Sequence, residues 1–405
     1  MPQFCGPQAS SELSFWAQEG VGNIQEGSDT VPAGVSGDKK ILMLLHGCIR
    51  ICLFYDVGEA FDQEKLRLLV GPGGAQTQPD FSRHTPEYVR FENPPIVEPA
   101  EPLMLASGEK VTCWVKYYEY AIVEVQLEVP FEGTWESLRE QTSRWMGAPD
   151  IEPESRAVMM RHLEKASAAI IKPRHEWFQE SYLVVDLQQV KDEEGCTLTA
   201  DRILSSHGQQ IAQLLSGEQT PLARSTNDRV LQGSLSYYAT DLLVVGFNAA
   251  LVYDRPEESV RTIQILEYTR VQLLEFRYYD NFMTHVLADV YYNLDRKSNA
   301  FFSRWALPRQ ANRLNTIRLD VMDLTERADN AIKFVSDSFY ALAYRTAATR
   351  AGVPEYRALV EKKLETAGEL YAFMMAQFSE TRMFLLEAAI MVLCLLDVLL
   401  LLRGR

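Results

Sequence analysis

The sequence predicts an α+β N-terminal domain followed by an all-α antiparallel helical bundle with one C-terminal transmembrane helix. Three observations lead to this fold class. Strand and helix patterns are interleaved in the first half, long stretches of helical periodicity fill the second, and a continuous apolar run closes the chain. At 405 residues the chain exceeds one ordinary domain, for which the length prior is about 150 residues.

Composition and periodicity divide the chain into four segments. These are a flexible leader over residues 1–38, an α+β soluble domain over 39–200, a helical bundle over 225–382 and a transmembrane anchor over 383–402. The leader is rich in Gly, Ser, Gln and Pro, a composition that cannot bury enough apolar surface to fold.

The α+β domain is predicted from short elements in mixed order. Ile41–Val57 is apolar and β-branched, so we expect a strand there. Asp62 is a plausible N-cap of a short amphipathic helix that ends at Gly71. The remaining expected elements are strands within Lys110–Val129, helices over Thr134–Met146 and Arg156–Ile171, and a strand over Ser181–Val190.

Three long helices are expected in the second half. The first covers Glu258–Leu294, and the second covers Gln310–Tyr344 with a heptad stripe typical of a coiled coil. The sequence AGVP at residues 351–354 marks a break. A third helix from Glu355 is expected to continue into the membrane, which gives an antiparallel bundle standing on the bilayer.

The segment Met383–Leu402, MFLLEAAIMVLCLLDVLLLL, is the predicted anchor. Twenty helical residues extend about 30 Å, the thickness of the hydrocarbon core. Arg382 and Arg403 flank the run, where long cationic side chains reach the headgroups. The N-terminal sequence lacks the cationic start and apolar core of a secretory signal. We therefore expect a tail-anchored, single-pass protein with its soluble part in the cytoplasm.

Two carboxylates, Glu387 and Asp397, interrupt this span. An acid inside a bilayer costs a few kcal/mol, so it usually faces a partner helix, is protonated or lines a water path. Three interpretations stay open. The acids could be tolerated near the edges of the span, could hydrogen-bond between helices of an oligomer, or could face solvent on a helix of a soluble domain.

The order of these elements resembles the "required for meiotic nuclear division" family of single-span membrane proteins, a domain of unknown function, in its bacterial type. The residues that carry the resemblance are Leu386-Glu387, AAIMVLCLL and Asp397-Val398 in the span, together with ICLFYDVGEAFDQEKLRLL and KYYEYAIVEV. Asp397 stands where the family usually has Glu, and Ala388 where many members have Trp. The resemblance implies a soluble α+β domain, a helical region and one C-terminal anchor.

A basic and aromatic stretch lies between the first two long helices, at residues 295–318. Its residues are Arg296, Lys297, Phe301, Phe302, Arg304, Trp305, Arg309, Arg313 and Arg318. This composition suits an anionic membrane surface or stacking on RNA. The alternative is a connection between helices whose arginines pair with acids such as Asp289 and Asp320.

The charge balance argues against a protein that coats nucleic acid. Lys and Arg total 40 against 55 Asp and Glu, a net charge of −15. Residues 1–200 hold 17 basic and 31 acidic residues, a net of −14, whereas residues 201–405 are nearly neutral. Since phosphate binding needs a cationic face, we do not expect nucleic acid as a partner.

No motif selects a reaction, so no catalytic, cofactor or metal residue is assigned. The loop VGPGGAQ lacks the Lys-Ser/Thr of a phosphate-binding loop. His46, Cys48 and Cys52 share one side of a strand, but His46 and Cys52 lie about 20 Å apart when extended. We expect Cys48 and Cys52 to be core residues and His46 to be a histidine with its hydrogen bonds satisfied.

The hypothesis from sequence is a membrane-anchored, non-enzymatic scaffold with no cofactor. Its expected partners are the lipid bilayer, further copies of the chain in a homo-oligomer and a protein at the membrane. The alternative is an oligomeric ion-transport protein distantly like magnesium channels. An enzyme built on the N-terminal domain is the least favoured hypothesis.

Overall fold

The protein is described from a computed structural model. The described residues are 44–71, 75–76, 89–91, 94–105, 108–192, 194–297, 307–330, 332–334 and 339–403. The leader predicted for residues 1–38 lies outside them.

A mixed sheet forms the centre of the N-terminal part, so its predicted α+β character is confirmed. The strands of the chain are β1 Leu44–Asp56, β2 Ala60–Phe61, β3 Ala75–Gln76, β4 Val89–Phe91, β5 Ile96–Met104, β6 Lys110–Tyr118, β7 Ile122–Gly133, β8 Ile170–Ile171, β9 Gln179–Lys191, β10 Ser234–Leu235, β11 Leu242–Val245, β12 Ala249–Tyr253 and β13 Ile332–Phe334. Nine of them form the main sheet in the order β10-β11-β12-β9-β1-β7-β6-β5-β3. Among the strands of the described residues, only β9 and β12 pair in parallel.

Nine α-helices accompany the strands in the described part of the chain. They are α1 Gln63–Val70, α2 Trp135–Met146, α3 Ile151–Ala166, α4 Ala200–Ser216, α5 Arg224–Leu231, α6 Pro256–Lys297, α7 Leu307–Asn330, α8 Phe339–Ala351 and α9 Val353–Arg403. As predicted, Asp62 caps α1 by accepting a hydrogen bond from the Lys65 N–H, and α1 ends at Gly71. Thr134 and Ser137 form a capping box at the start of α2.

The two faces of the sheet are covered by different helices. One face carries odd-numbered residues of β1 and β7, such as Ile49, Val123 and Val125, and packs against α1 to α4. The opposite face packs against α6 and α8. The sheet is therefore the middle of three layers, and the alternation along each strand assigns its side chains to one layer or the other.

The predicted helical bundle over residues 225–382 is not confirmed. The short strands β10, β11 and β12 follow α5 and extend the same sheet as β9, so the sheet continues to Tyr253. Helix α6 then covers this sheet with its first half, and its second half packs against α7 and α9. The helices of the second half are thus joined to the sheet through a shared helix.

The single helix predicted over Gln310–Tyr344 is also corrected. Helix α7 ends at Asn330, the strand β13 follows, and α8 begins at Phe339. Strand β13 pairs with β4, far away in sequence. Leu314 and Val321 of the heptad stripe are buried against neighbouring helices, but the stripe does not continue as one coiled-coil helix.

The third long helix agrees with the prediction. Helix α9 runs without interruption from Val353 to Arg403, after a break at Gly352, whose φ is +84°. Val360, Leu364, Ala367 and Met374 are buried against α6 and α7. The residues beyond Arg382 contribute no buried side chain in the described part of the helix.

Candidate functional site

The apolar end of α9 lies where the sequence predicts a membrane anchor. Helix α9 is long and apolar enough to cross a membrane by length and composition, and none of its most apolar window is buried. Glu387 and Asp397 are both exposed on this helix, so they do not belong to the core of a soluble domain.

The basic and aromatic stretch is described only in part. Arg309 and Arg313 are exposed on α7, and Arg318 is half-buried with its guanidinium against Gly368 of α9. Arg296 and Lys297 end α6, but their side chains lie outside the described residues. Phe301, Phe302, Arg304 and Trp305 lie outside them entirely, so this stretch stays a prediction.

A buried ionic layer between the sheet and α6 was not predicted. We use this name for Arg50, Cys52, Lys116, Tyr118, Glu124, Glu128, Asp186 and Glu267. The first seven project from β1, β6, β7 and β9 toward α6, which contributes Glu267. The strand register places Lys116 opposite Glu124 and Arg50 opposite Glu128, so two ion pairs follow from the pairing of the strands.

Lys116 lies at the centre of the ionic layer. Its Nζ is 2.6 Å from Oε1 of Glu267 and 3.6 Å from Oε1 of Glu124. The Tyr118 hydroxyl donates to Oε2 of Glu124 at 2.6 Å and also lies 3.1 Å from Oε2 of Glu267. One ammonium and one phenol thus hold two buried carboxylates together.

Burial changes the protonation of this group. Desolvation, with the neighbouring charge of Glu267, raises the pKa of Glu124 to about 7. Burial also raises the pKa of the Cys52 thiol well above its ordinary value. Glu124 therefore keeps its proton to higher pH than an ordinary carboxyl group, and Cys52 stays a thiol.

Ligand-type atoms of Cys52, Glu124 and Glu267 lie within 4.8 Å of one another, which is compact enough for a metal ion. The ammonium of Lys116 already provides the positive charge at this place. A protonated thiol is also a poor metal ligand, because metals bind the thiolate. The donor set therefore fits an internal lysine better than a metal.

The second ion-pair group of the layer surrounds Arg50. Its guanidinium bonds to Glu128 and lies 3.2 Å from Oδ2 of Asp186, while the Trp114 indole N–H donates to Glu128 at 3.2 Å. A cavity of about 230 Å³ lies beside both groups and is lined by Arg50, Lys116 and Glu267 among others. The chemistry available here is the exchange of a proton, since the layer contains no activated nucleophile.

Two sequence signals could have revealed the ionic layer. Strand β7 alternates Glu124, Gln126 and Glu128 with valine and leucine, which shows a polar side but not what covers it. Residues 261–276 of α6 mix polar and charged residues with apolar ones around the whole helix. The structure buries all of them. The polar side of β7 and the polar residues of α6 pair with each other in the structure. Neither pattern by itself shows that the other segment covers it.

The pH dependence of stability should report on Glu124. Between its ordinary pKa of 4.5 and about 7, the folded protein keeps a proton that the unfolded chain releases, so stability falls as pH rises through this interval and levels off above it. Glu124→Gln should remove this contribution. The stability of the variant relative to the wild type should therefore increase as the pH rises from 5 to 8. Denaturant unfolding at several pH values measures the difference. The control is Glu132→Gln, an exposed acid on the same strand, and parallel curves for Glu124→Gln and wild type would contradict the assignment.

Removal of the Lys116 ammonium should lower the stability of the folded protein. Lys116→Met leaves Glu124 and Glu267 facing each other without a positive charge, which should lower the free energy of unfolding by about 3–5 kcal/mol. Adding Glu267→Gln to Lys116→Met should recover much of that loss, because only one buried acid then remains. Urea unfolding of the three variants in detergent provides the double-mutant cycle. The three variants are Lys116→Met, Glu267→Gln and the double variant, and a double loss equal to the sum of the two single losses would show that the two side chains act independently.

Comparisons with known proteins cover the sheet domain. The family model described as "Uncharacterized protein MJ0711, N-terminal domain" matches residues 46–259. The "Uncharacterized protein MJ0711" of Methanocaldococcus jannaschii is 20% identical over 237 residues, which are 58% of this chain and 70% of that protein. No solved structure matches the chain.

The family-model match extends from β1 to the first residues of α6, and both matches show a domain of unknown function. They do not show the "required for meiotic nuclear division" family, so that resemblance remains a hypothesis. Because the family model covers more than half of the 405 residues, the chain belongs to the family of the MJ0711 N-terminal domain.

Proposed function

We propose that the protein is a membrane-anchored, non-enzymatic scaffold that holds its sheet domain at a fixed distance from the cytoplasmic face of a membrane. The observation that carries this proposal is the continuity of α9, which is packed against α6 and α7 at one end and is apolar and exposed at the other. One rigid element thus belongs to both the folded part and the anchor.

The length of α9 supports its role as a spacer between the sheet domain and the membrane. Residues 353–382 extend about 45 Å as a helix, and residues 383–402 extend about 30 Å, enough for the hydrocarbon core. Neither glycine nor proline occurs between Glu369 and Leu402, so no residue in this interval favours a hinge. Cys48, Cys52 and Cys113 are free thiols, which suits the reducing cytoplasm.

Assembly into a homo-oligomer is the second part of the proposal. Glu387 and Asp397 are exposed on the apolar end of α9, where lipid would surround a monomer. Since a carboxyl group in hydrocarbon is costly, hydrogen bonding to a second copy of the span would stabilise both acids.

Membrane attachment is tested by placing charges in the centre of the span. Met391→Lys combined with Leu395→Lys adds roughly 2.5–3.5 kcal/mol per residue to the insertion free energy and should move the protein from the carbonate-washed membrane pellet to the supernatant. The matched control is Leu359→Lys with Phe373→Lys, two similarly exposed apolar residues on the packed half of α9. The control should stay in the pellet, and release of both variants alike would remove the support for an anchor at residues 383–402.

Oligomerisation is tested at the two acids. Glu387→Leu with Asp397→Leu should shift the protein to a smaller species in light scattering of detergent-solubilised samples, whereas Glu361→Leu with Glu365→Leu, exposed acids on the packed half of α9, should not. An unchanged mass for the first variant would count against pairing within the membrane. If liposomes with the wild type conduct cations and those with the first variant do not, the ion-transport alternative replaces the scaffold.

A further inference from the structure

A cavity of about 790 Å³ lies between α5, α8 and the turn that joins β11 to β12. Pockets for small molecules typically measure about 300–1,000 Å³. We call it the arginine pocket, because three of its lining residues are Arg229, Arg345 and Arg350. No carboxylate is among the described residues that line it. By contrast, three other cavities of the described structure each contain at least two acids.

The cationic character of the arginine pocket is unusual in this chain. The protein has a net charge of −15, yet none of the three arginines forms an ion pair within the described residues. Arg229 and Arg345 are exposed and Arg350 is half-buried, so all three cations can reach an anion that enters from solvent. Guanidinium groups bind phosphate through paired hydrogen bonds, and the hydroxyl groups of Thr226 and Thr349 add neutral donors to the same wall.

Arg350 is held in place from the protein side. Its Nη2 donates to the carbonyl oxygen of Arg229 at 2.8 Å, which links α8 to the end of α5. At Gly233 a Cβ atom would lie 3.1 Å from Nε of Arg350 and 2.5 Å from the Val245 carbonyl, so glycine leaves room for the guanidinium. The direction of one cation is therefore fixed before any ligand binds, which lowers the entropy cost of binding.

An aromatic ring stands at the rim of the arginine pocket. Phe247 is 64% exposed at the tip of the β11–β12 turn. The backbone beneath it is fixed, because the fully buried Arg270 donates to the Phe247 carbonyl at 2.8 Å and the Leu183 N–H donates to the Asn248 carbonyl at 3.1 Å. The guanidinium of Arg270 in turn lies 3.7 Å from the centre of the Tyr182 ring. A rigid turn thus presents an exposed ring on which a planar group can stack.

We propose that the arginine pocket binds a soluble nucleotide, with its phosphates on Arg345 and Arg350 and its base on Phe247. A lipid headgroup offers the same phosphate chemistry, but the pocket lies at the start of α9, and residues 353–382 separate it from the span by about 45 Å of helix. This inference goes beyond the scaffold and does not depend on oligomerisation.

The test is calorimetric titration of the full chain in phosphatidylcholine nanodiscs with ADP and, separately, with inorganic phosphate. ADP should bind, and Arg345→Gln should weaken the binding of both probes at least tenfold, since each loses a charged partner. Phe247→Ala should weaken the binding of ADP about tenfold and leave the binding of phosphate unchanged, because only ADP has a base that can stack on the ring. Arg202→Gln, an exposed arginine on α4 outside the pocket, should change neither. Equal thermal melting of the four proteins verifies folding.

Absence of heat with both probes at millimolar concentration would overturn the proposal. Phosphate binding without any preference for ADP, or ADP binding that none of the pocket variants alters, would overturn the assignment to nucleotides. Nanodiscs with phosphatidylserine distinguish the second source of phosphate. ADP affinity should be the same in them, and its loss there would identify a lipid headgroup as the occupant.

Discussion

The contact between Lys116 and Glu267 is the interaction on which the rest of the structure depends. It joins the centre of the sheet to α6 through an ion pair 2.6 Å long, in which the Glu267 side chain is buried. On the sheet, Lys116 and Glu124 form a cross-strand pair on a face that also carries apolar residues such as Phe54. Once α6 covers this face, every charge in it must find a partner, because an isolated buried charge costs far more than a buried pair. Packing of α6 therefore requires the correct register of the strands beneath it.

Helix α6 also positions the helices that follow it, so their packing depends on the contact between α6 and the sheet. Residues 261–276 are buried on all sides, and the apolar residues that follow, such as Tyr279, Met283 and Leu287, pack against α7 and α9. Helix α9 thus has no independent core. Its packed half is positioned by α6, which is positioned by the ionic layer. Since burial raises the pKa of Glu124, the stability of this connection should fall as the pH around the sheet domain rises.

Local features of the fold could be predicted from the sequence, and contacts between distant segments could not. The Asp62 cap, the long strand from Leu44 and the break before α9 each depend on a few neighbouring residues whose conformational preferences agree. The parallel pairing of β12 with β9 depends on segments about 65 residues apart, which periodicity does not report. The division between α7 and α8 was missed for the same reason, since β13 exists through its pairing with β4. Glu387 and Asp397 were identified because an acid in an apolar run is visible by itself, whereas Lys116 and Glu267 become a site only when they meet.

The family match includes most residues of the ionic layer. It spans residues 46–259 and so includes Arg50, Lys116, Glu124, Glu128 and Asp186, but it ends before Glu267. The matched domain therefore carries a charged sheet face whose cover comes from the following segment. That segment covers the face with apolar residues such as Ile263, Val271 and Leu274 as well as with Glu267. In this chain the segment that does so is also the one that leads to the anchor, so the buried charge that closes the sheet also fixes the position of the helix that would enter the membrane.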